Sequence, residues 1–296
     1  MKQVLSAVFL LIIFQTGFSQ EKNSSYEQQI NAWHAKRIED LKAPNGWVNL
    51  AGLFWLKQGK NSFGSASSND IVFHNPDMPA KAGSFMLEGT TVTWISEPGV
   101  TVLEKDSAIT KAVIFQQGNF RSPLLSLNHF RWNIIQRDEK IGIRFRDLKS
   151  PALAKFTEIP RYPVDSNWRV NAHLEEAPNS FVSITNVLGQ TNQQNTPGKL
   201  VFMINNQPYR LDALEESPGE LFIIFGDATC GKETYPAGRF MYVKKPARGA
   251  TTIVDFNKAF NPPCAFSEFA TCPLPPKQNI LPIAIKAGER WETINN

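Results

Sequence analysis

The sequence has little cysteine and histidine, and it has no hydrophobic run long enough to span a bilayer. Three cysteines and four histidines occur in 296 residues. The C-terminal motifs contain no histidine, so a Ser-His-Asp triad would need His129 or His173 to come from far along the chain. Gly-x-Ser-x-Gly, His-Glu-x-x-His and P-loop motifs are absent. The common signals of hydrolases and nucleotide enzymes are therefore missing, and no cofactor or metal is expected.

The chain also has little excess charge of either sign. The net charge is +4, and lysine and arginine form neither a long run nor a stripe. Nucleic acid is therefore not an expected partner. Arg144 and Arg146 share one face of a predicted strand, where they would either form a solvated face or grip an anion or carboxylate.

The first residues have the pattern of a secretory signal. Lys2 precedes an apolar run from Val4 to Phe14, which is too short to cross a bilayer. Small residues then occupy the positions that a signal peptidase recognises, and cleavage is expected near Ser19 or Gln20. Residues 1–20 are thus predicted to be a signal peptide, and the mature chain is expected to be exported, to the periplasm or beyond, with no membrane span.

The rest of the chain is predicted to be mainly β. A capping-box pattern at Ser25–Gln28 and apolar residues at helical spacing predict one amphipathic helix over about residues 25–42, within a segment 21–45. From residue 46, short alternating runs are separated by turn residues roughly every 8 to 12 positions. This pattern favours one or more antiparallel β-sandwiches, divided into regions 46–110 and 111–296.

The opening strands resemble those of a forkhead-associated domain. The resemblance rests on Asn61–Ser65, on Ser68–Val72 and on Phe85–Gly89. That family binds phosphothreonine through an Arg directly after the first motif's Gly and through a Ser and a His in the next loop. This chain has Ser65 at the first position and Pro79–Gly83 in the loop. The resemblance therefore implies the fold of residues 46–110 but not a phosphopeptide partner.

Polar residues are densest between the apolar runs of residues 221–289. Polar side chains between buried segments often share a hydrogen-bond network or line a pocket. Paired carboxylates could act as general acid and base, with an arginine orienting an anionic or carbonyl group. The alternative is an internal ion pair of Arg239 with Asp227, Glu233 or Asp255. The candidate ligand-binding or acid–base residues are Asp227, Thr229, Glu233, Tyr235, Arg239, Asp255, Asn257 and Asn261.

The cysteines allow three interpretations in an exported protein. Cys264 and Cys272 lie eight positions apart in a proline-rich loop, and a disulfide between them is the first interpretation. A metal site is the second, although no histidine lies nearby to complete it, and free thiols are the third. Cys230 is the expected unpaired cysteine, with a nucleophilic role as a weak possibility.

Longer motifs resemble the domain of unknown function 1684 family over about residues 45–290. The resemblance is carried by Gly52–Leu56, Asp227–Thr229, Glu233–Tyr235, Gly238–Phe240, Asp255–Asn257, and Asn261–Phe266 with Thr271–Pro275. The family implies no established activity. Cys230 stands where the pattern suggests Ser or Thr, which argues against a required thiol.

Three functions compete at this point. The first is binding of a small molecule in a pocket near residues 227–261. The second is a hydrolase that uses Asp227 and Glu233 with Tyr235 and Arg239. The third is a structural or interaction protein whose polar cluster is paired internally. An open concavity at these residues favours the first two, whereas a sealed or scattered cluster favours the third.

Overall fold

The computed structural model describes residues 25–118 and 122–292. The predicted signal peptide lies outside these residues. Two compact units divide the described chain. Unit 1 consists of the described residues up to Glu39, of Glu158–Ala265, and of the described residues from Thr271 onward. Unit 2 consists of Asp40–Thr157 and Phe266–Ala270. Among the described residues no helix is both long and apolar enough to cross a membrane.

The predicted N-terminal helix is confirmed as α1, residues 25–42. Its apolar positions Ile30 and Leu41 are each only 1% exposed, as expected for residues on the buried face of an amphipathic helix. Chain reversal after the helix depends on Gly46, because a Cβ there would lie 2.2 Å from the Leu41 carbonyl oxygen. No larger residue fits this approach without moving the backbone.

Unit 2 is a β-sandwich, as predicted. Its five-stranded sheet has the order β3-β2-β4-β5-β8, and its six-stranded sheet has the order β1-β11-β10-β9-β6-β7. All pairs are antiparallel except β2 with β3. A short helix α2, Pro151–Lys155, is capped by the Ser150 side chain. The strands are β1 Leu50–Trp55, β2 Gly59–Gly64, β3 Ile71–Val72, β4 Gly83–Glu88, β5 Thr91–Ser96, β6 Val102–Glu104, β7 Ser107–Ile109, β8 Lys111–Gln116, β9 Leu125–Leu127, β10 Phe130–Arg137 and β11 Lys140–Asp147.

Aromatic side chains fill the space between the two sheets of unit 2. Phe63 and Trp94 project from the five-stranded sheet, and Phe145 and Trp132 project from the other; all four are fully buried. The ring centroids of Phe63 and Phe145 are 5.5 Å apart, and those of Trp94 and Trp132 are 5.3 Å apart. Such aromatic pairs stabilise a core beyond the area that they bury.

The expectation of a solvated face at Arg144 and Arg146 is wrong. Their exposed fractions are 8% and 4%. The Arg144 guanidinium lies 4.5 Å from the centre of the Trp47 ring, and Arg146 donates to the Gly46 carbonyl and to Asn133 Oδ1. Burial lowers the pKa of Arg146 to about 10. Alternation in the sequence correctly predicted that both arginines share one face of the strand, but it did not show which residues bury that face.

Unit 1 contains one six-stranded antiparallel sheet with the order β16-β15-β14-β13-β12-β17. The two outer strands approach each other, since Thr252 Oγ1 of β17 donates to the Lys244 carbonyl of β16 at 2.7 Å. The predicted turn at Asn205 and Asn206 is confirmed, and both residues have the positive φ that a tight hairpin requires. The strands are β12 Arg169–Thr185, β13 Thr191–Ile204, β14 Gln207–Ser217, β15 Glu220–Phe225, β16 Arg239–Lys244 and β17 Thr251–Asp255.

The core of unit 1 is a buried apolar cluster to which all six strands of this sheet contribute. Phe202, Phe225 and Phe256 form its aromatic centre, with Phe256 at 5.6 Å from each of the other two rings. Ile285 and Ala287, from an irregular C-terminal segment, are fully buried in the same cluster. The C-terminal segment is therefore part of the core, and the loops around it are held at fixed positions.

The compact units do not follow the predicted division at residue 110. Unit 2 extends to Thr157, because β9, β10 and β11 belong to the second sheet of its sandwich. Local alternation in the sequence identifies strands but does not state which sheet each one joins.

Candidate functional site

Asp227 and Arg239 form a fully buried ion pair at the base of the loop between β15 and β16. Arg239 Nη2 lies 2.7 Å from Asp227 Oδ2, and neither side chain is exposed. Arg239 is the first residue of β16 and stands opposite Phe225, the last residue of β15. The register of the two strands thus brings the acid and the base together, and of the three partners proposed for Arg239 the structure selects Asp227.

The ion pair also holds the C-terminal segment. The Arg239 guanidinium donates to the carbonyl oxygens of Ile285, Ala287 and Glu289. Asp227 Oδ1 in turn accepts from the Ile285 amide at 3.3 Å. Three bonds from Arg239 and one bond to Asp227 thus involve the backbone of one segment, and such bonds help to offset the desolvation of a buried ion pair.

Two threonines complete the buried network. Thr229 donates to Asp227 Oδ1 from its amide at 2.8 Å and from its hydroxyl at 2.6 Å. The hydroxyls of Thr229 and Thr234 lie 2.8 Å apart. Cys230 Sγ accepts from the Asp227 amide at 3.3 Å, so this cysteine contributes a hydrogen bond to the turn. Asp227, Thr229 and Arg239 thus form an internally paired cluster that is closed to solvent.

Asp255 and Asn257 form a separate cluster that anchors α1. The Tyr26 hydroxyl donates to Asp255 Oδ1 at 2.8 Å and accepts from Asn257 Nδ2 at 3.0 Å. Asn257 also bonds both backbone groups of Asp165, through its Oδ1 at 3.0 Å and its Nδ2 at 2.8 Å. Burial and the hydrogen bond to Asp255 raise the pKa of Tyr26. This cluster ties together three distant parts of the unit 1 sequence.

Asn261 belongs to a third cluster, with Glu289 and Arg37. The Asn261 amide donates to Glu289 Oε2 at 2.7 Å, and Arg37 Nε donates to Glu289 Oε1 at 3.2 Å. Arg37 Nη2 reaches the Asn261 carbonyl at 2.9 Å. Burial raises the pKa of Glu289 while Arg37 opposes the shift. Nothing in the sequence indicated that Arg37 of α1 would be the partner of Glu289.

Glu233 and Tyr235 are the candidate residues nearest to solvent. Glu233 Oε2 accepts from the Tyr162 hydroxyl at 3.0 Å, and Lys286 Nζ lies 3.4 Å from Oε1. The Tyr162 hydrogen bond and then Lys286 lower the pKa of Glu233. Burial raises the pKa of Tyr162 and of Tyr235 to about 12. None of these three pKa values is placed near neutrality, where a general base works best.

The two carboxylates of the hydrolase alternative therefore do not work on one cavity. Asp227 is sealed against Arg239, whereas the Glu233 side chain is 38% exposed and paired with Lys286. Six of the eight candidate residues are therefore buried within the three clusters, and Glu233 and Tyr235 are half-buried.

The structure does not join Cys264 and Cys272 in a disulfide. It does place the two residues against each other, because each sulfur accepts a hydrogen bond from the other residue's amide. The Cys264 amide lies 3.1 Å from Cys272 Sγ, and the Cys272 amide lies 3.3 Å from Cys264 Sγ. Within residues 25–118 and 122–292, no group of three or more His, Cys, Asp and Glu side chains is arranged to hold a metal ion.

An open cleft with a volume of about 800 Å³ lies elsewhere in unit 1, midway along the β12–β13 hairpin and at the turn of the β14–β15 hairpin. It forms where both hairpins bulge. Residues 177–179 of β12 stand opposite the single residue Pro197 of β13, and Glu215 and Glu216 of β14 stand opposite Leu221 of β15. Extra residues in one strand bend it away from its partner. None of the eight candidate residues lines this cleft; Lys245 is its lining residue between positions 227 and 261.

Sequence reasoning missed the cleft, although one signal was present. Pro178 and Asn179 interrupt β12, and proline inside a strand marks a bulge or an edge. Asn179 has a φ of +59°, which asparagine tolerates better than most residues.

One family model matches part of the chain. Residues 154–290 match the model of the family described as "Protein of unknown function (DUF1684)". The predicted resemblance is thus confirmed over these residues, which lie mostly in unit 1, while the predicted range began at about residue 45. No curated protein matches the chain.

The solved structures that match the chain superpose on it with low TM-scores. An uncharacterized protein of Haloarcula marismortui is 27% identical, with 50% of this chain and 83% of that chain covered and a TM-score of 0.41. The FhaA FHA domain, solved in complex with the intracellular domain of Rv3910, is 10% identical over 32% of this chain and 97% of that chain, with a TM-score of 0.23. Forkhead-associated domains are thus among the matched structures.

Proposed function

We propose that the chain, of which residues 154–290 match a family described as being of unknown function, is an exported protein that binds a small molecule in the cleft of unit 1. The observation that carries this proposal is the cleft itself, because its volume of about 800 Å³ lies in the range of small-molecule sites. Apolar groups such as Leu174 and Phe181 share its lining with Asn195, Glu216 and Lys245. Mixed linings of this kind combine contact area with a few orienting polar groups.

The cleft is a better candidate than the residues selected from the sequence. A ligand that displaced the Asp227–Arg239 pair would have to leave a fully buried charge without its partner, at a cost of several kcal/mol. The cleft needs no such change, since Phe181 is 62% exposed and Asn195 is exposed opposite it. The internal pairing of Asp227, Thr229 and Arg239 favours a structural role for those three residues within a binding protein.

Filling the cleft should abolish binding. Asn195 and Phe181 are paired across β12 and β13, so a tryptophan at residue 195 would occupy the space beside Phe181. The chain is incubated with the low-molecular-weight fraction of a cell extract and studied by native mass spectrometry. We expect a bound small molecule that is released on denaturation, and at least tenfold weaker retention by Asn195→Trp.

The matched control is Gln194→Trp, an exposed neighbour on the same strand that does not line the cleft. It should retain the small molecule as the unaltered chain does. A ligand held equally by Asn195→Trp would place binding elsewhere, and a chain that never carries an adduct would argue against the function.

Export supports a second part of the proposal, that Cys264 and Cys272 become disulfide-bonded. The crossed hydrogen bonds place each sulfur beside the amide of the other cysteine, and an oxidising compartment favours a disulfide between them. Oxidation would remove one hydrogen from each thiol, with a disulfide oxidant of the compartment accepting two electrons and two protons.

The intact mass of the chain recovered from the periplasm of a bacterial host tests export and the disulfide together. We expect a chain that begins after Ser19 or Gln20 and that gains about two mass units on reduction. The Cys264→Ser variant should show the same cleavage and no gain. An unprocessed chain would contradict export, whereas a processed chain without the gain would contradict the disulfide alone.

A further inference from the structure

The cleft of unit 1 carries an excess of negative charge. Glu176, Glu215 and Glu216 line it together with one cation, Lys245. The cavity, with its apolar wall, is the reason for considering a ligand here, and the charges decide which class of ligand fits. A small anion would meet three carboxylates, which argues against the acidic ligand that the positive net charge of the chain would suggest.

The single lysine is already engaged. Lys245 Nζ lies 2.6 Å from Glu215 Oε2, and Glu215 Oε1 accepts from the Gly219 amide at 3.2 Å. The Lys245 amide also donates to the Gly219 carbonyl at 2.9 Å. Glu215 and Lys245 therefore close the turn between β14 and β15, and neither is available as the main charge partner of a ligand.

Glu216 stands in contrast to its neighbour. Its carboxylate makes no hydrogen bond or ion pair with any residue that the structure describes, although Glu216 lines the cleft. Glu176 has one partner, Arg248, whose Nε lies 3.7 Å away and whose side chain is 90% exposed. Such an exposed pair is weak. The carboxylates of Glu216 and Glu176 are thus the two that could receive a positively charged group.

The opposite wall of the cleft offers contact to an apolar or cationic body. Phe181 is a large aromatic residue that is 62% exposed, and Pro178 and Pro197 flank it. Exposed aromatic faces bind alkyl chains by contact and bind ammonium groups through cation–π attraction. The cleft therefore places an aromatic surface and the carboxylates of Glu216 and Glu176 around one space.

We propose that the ligand of this cleft is an organic cation, with an ammonium group at Glu216 and an alkyl portion against Phe181. This inference rests on the proposed function, since it names the class of molecule that the same cleft binds. Glu176 supplies the second acceptor, so the site favours compact amines and diamines over neutral alcohols of the same shape. The specificity comes from charge, because an alcohol would leave the carboxylates uncompensated.

Binding should depend on pH through Glu216. Desolvation and the Glu220 carboxylate raise the pKa of Glu216. Burial, and then Glu216 and Glu220, raise the pKa of Tyr242, so it stays neutral. Because only the charged carboxylate attracts a cation, affinity should fall as the pH drops through the raised pKa of Glu216. The fall should begin at a higher pH than for an ordinary glutamate.

Isothermal titration calorimetry of the processed chain tests the proposal with three probes of matched length. These are 1,5-diaminopentane, 1,5-pentanediol and glutarate, titrated at low ionic strength and neutral pH. We expect saturable binding of the diamine, at least tenfold weaker binding of the diol and none of glutarate. Glu216→Gln should weaken diamine binding about tenfold, as expected for loss of a charge-assisted contact. Phe181→Ala, at an exposed position, should weaken it several-fold.

The control is Glu220→Gln, which removes a nearby carboxylate that does not line the cleft. It should keep diamine affinity at neutral pH and move the loss of binding to lower pH, because one cause of the raised Glu216 pKa is gone. Equal affinity for the diol, absence of diamine binding, or diamine binding that survives both Glu216→Gln and Phe181→Ala would each overturn the cationic ligand. The Asn195→Trp experiment with cell extract tests binding in the cleft independently of the ligand class. Loss of retention in that variant together with no diamine binding would mean that the cleft binds another class of ligand.

Discussion

Arg239→Met is expected to lower the free energy of unfolding of unit 1 by about 3–5 kcal/mol, because it leaves the Asp227 carboxylate buried without its cation. Methionine keeps much of the arginine stem, so packing is disturbed less than by alanine. The Ile285, Ala287 and Glu289 carbonyls lose their donors at the same time. Urea denaturation followed by far-ultraviolet circular dichroism measures the change.

Arg210→Met is the matched control. Arg210 pairs with Glu175 at 3.4 Å, but both side chains are more than half exposed, so this change should cost less than about 1 kcal/mol. The double variant Asp227→Leu with Arg239→Met should be more stable than Arg239→Met alone, since no buried charge remains. Equal stabilities for the Arg239 and Arg210 variants would contradict the structural role of the ion pair.

The pairing of Asp227 with Arg239 also marks how far the sequence could be interpreted. An ion pair that pins the β15–β16 hairpin was one of two alternatives, because the acid and the base border the same loop. Strand ends that are close in sequence are also close in space. The hydrogen bonds from Arg239 to the carbonyl groups of Ile285–Glu289 could not be predicted. The C-terminal segment is separated from Arg239 by more than forty residues of irregular and strand structure.

Long-range partners account for the other misses. Nothing local indicates that Tyr26 would bond Asp255, or that Arg37 would bond Glu289, at separations of 229 and 252 residues. The periodicity of α1 predicted which face is buried but not against what it packs. The cleft was missed for a related reason, since it depends on two bulges in neighbouring hairpins, and register is a property of strand pairs and not of either strand alone.

The candidate residues from the sequence and the residues that line the cleft differ in their hydrogen bonding within unit 1. The residues that looked most chemical in the sequence hold loops and termini in place, and the open space lies where hydrogen bonding between strands is interrupted. Buried polar groups need partners, so a dense polar motif between apolar strands is often satisfied internally. Functional groups must instead retain unused capacity, which in this unit is found at Glu216 and on the exposed ring of Phe181.

Asn279→Ala is expected to destabilise unit 1 by about 3 kcal/mol, because this side chain replaces missing hydrogen bonds between two strands. Asp212 of β14 and Ile224 of β15 would face each other in the β14–β15 register, but the two strands pair only over Leu214–Ser217 and Glu220–Phe222. Asn279 instead bonds the Asp212 amide at 2.7 Å, the Asp212 carbonyl at 3.0 Å and the Ile224 carbonyl at 2.9 Å. Alanine would leave these three buried backbone groups without a partner.

Asn171→Ala serves as the control, since Asn171 is an exposed residue of β12, and it should change stability by no more than about 0.5 kcal/mol. Amide hydrogen exchange gives a second measurement. Asn279→Ala should speed exchange at Asp212 and its neighbours on β14, while exchange in unit 2 stays the same. A loss below about 1 kcal/mol with unchanged exchange at Asp212 would mean that water satisfies the gap as well as the amide does. The asparagine would then be dispensable for holding β14 to β15.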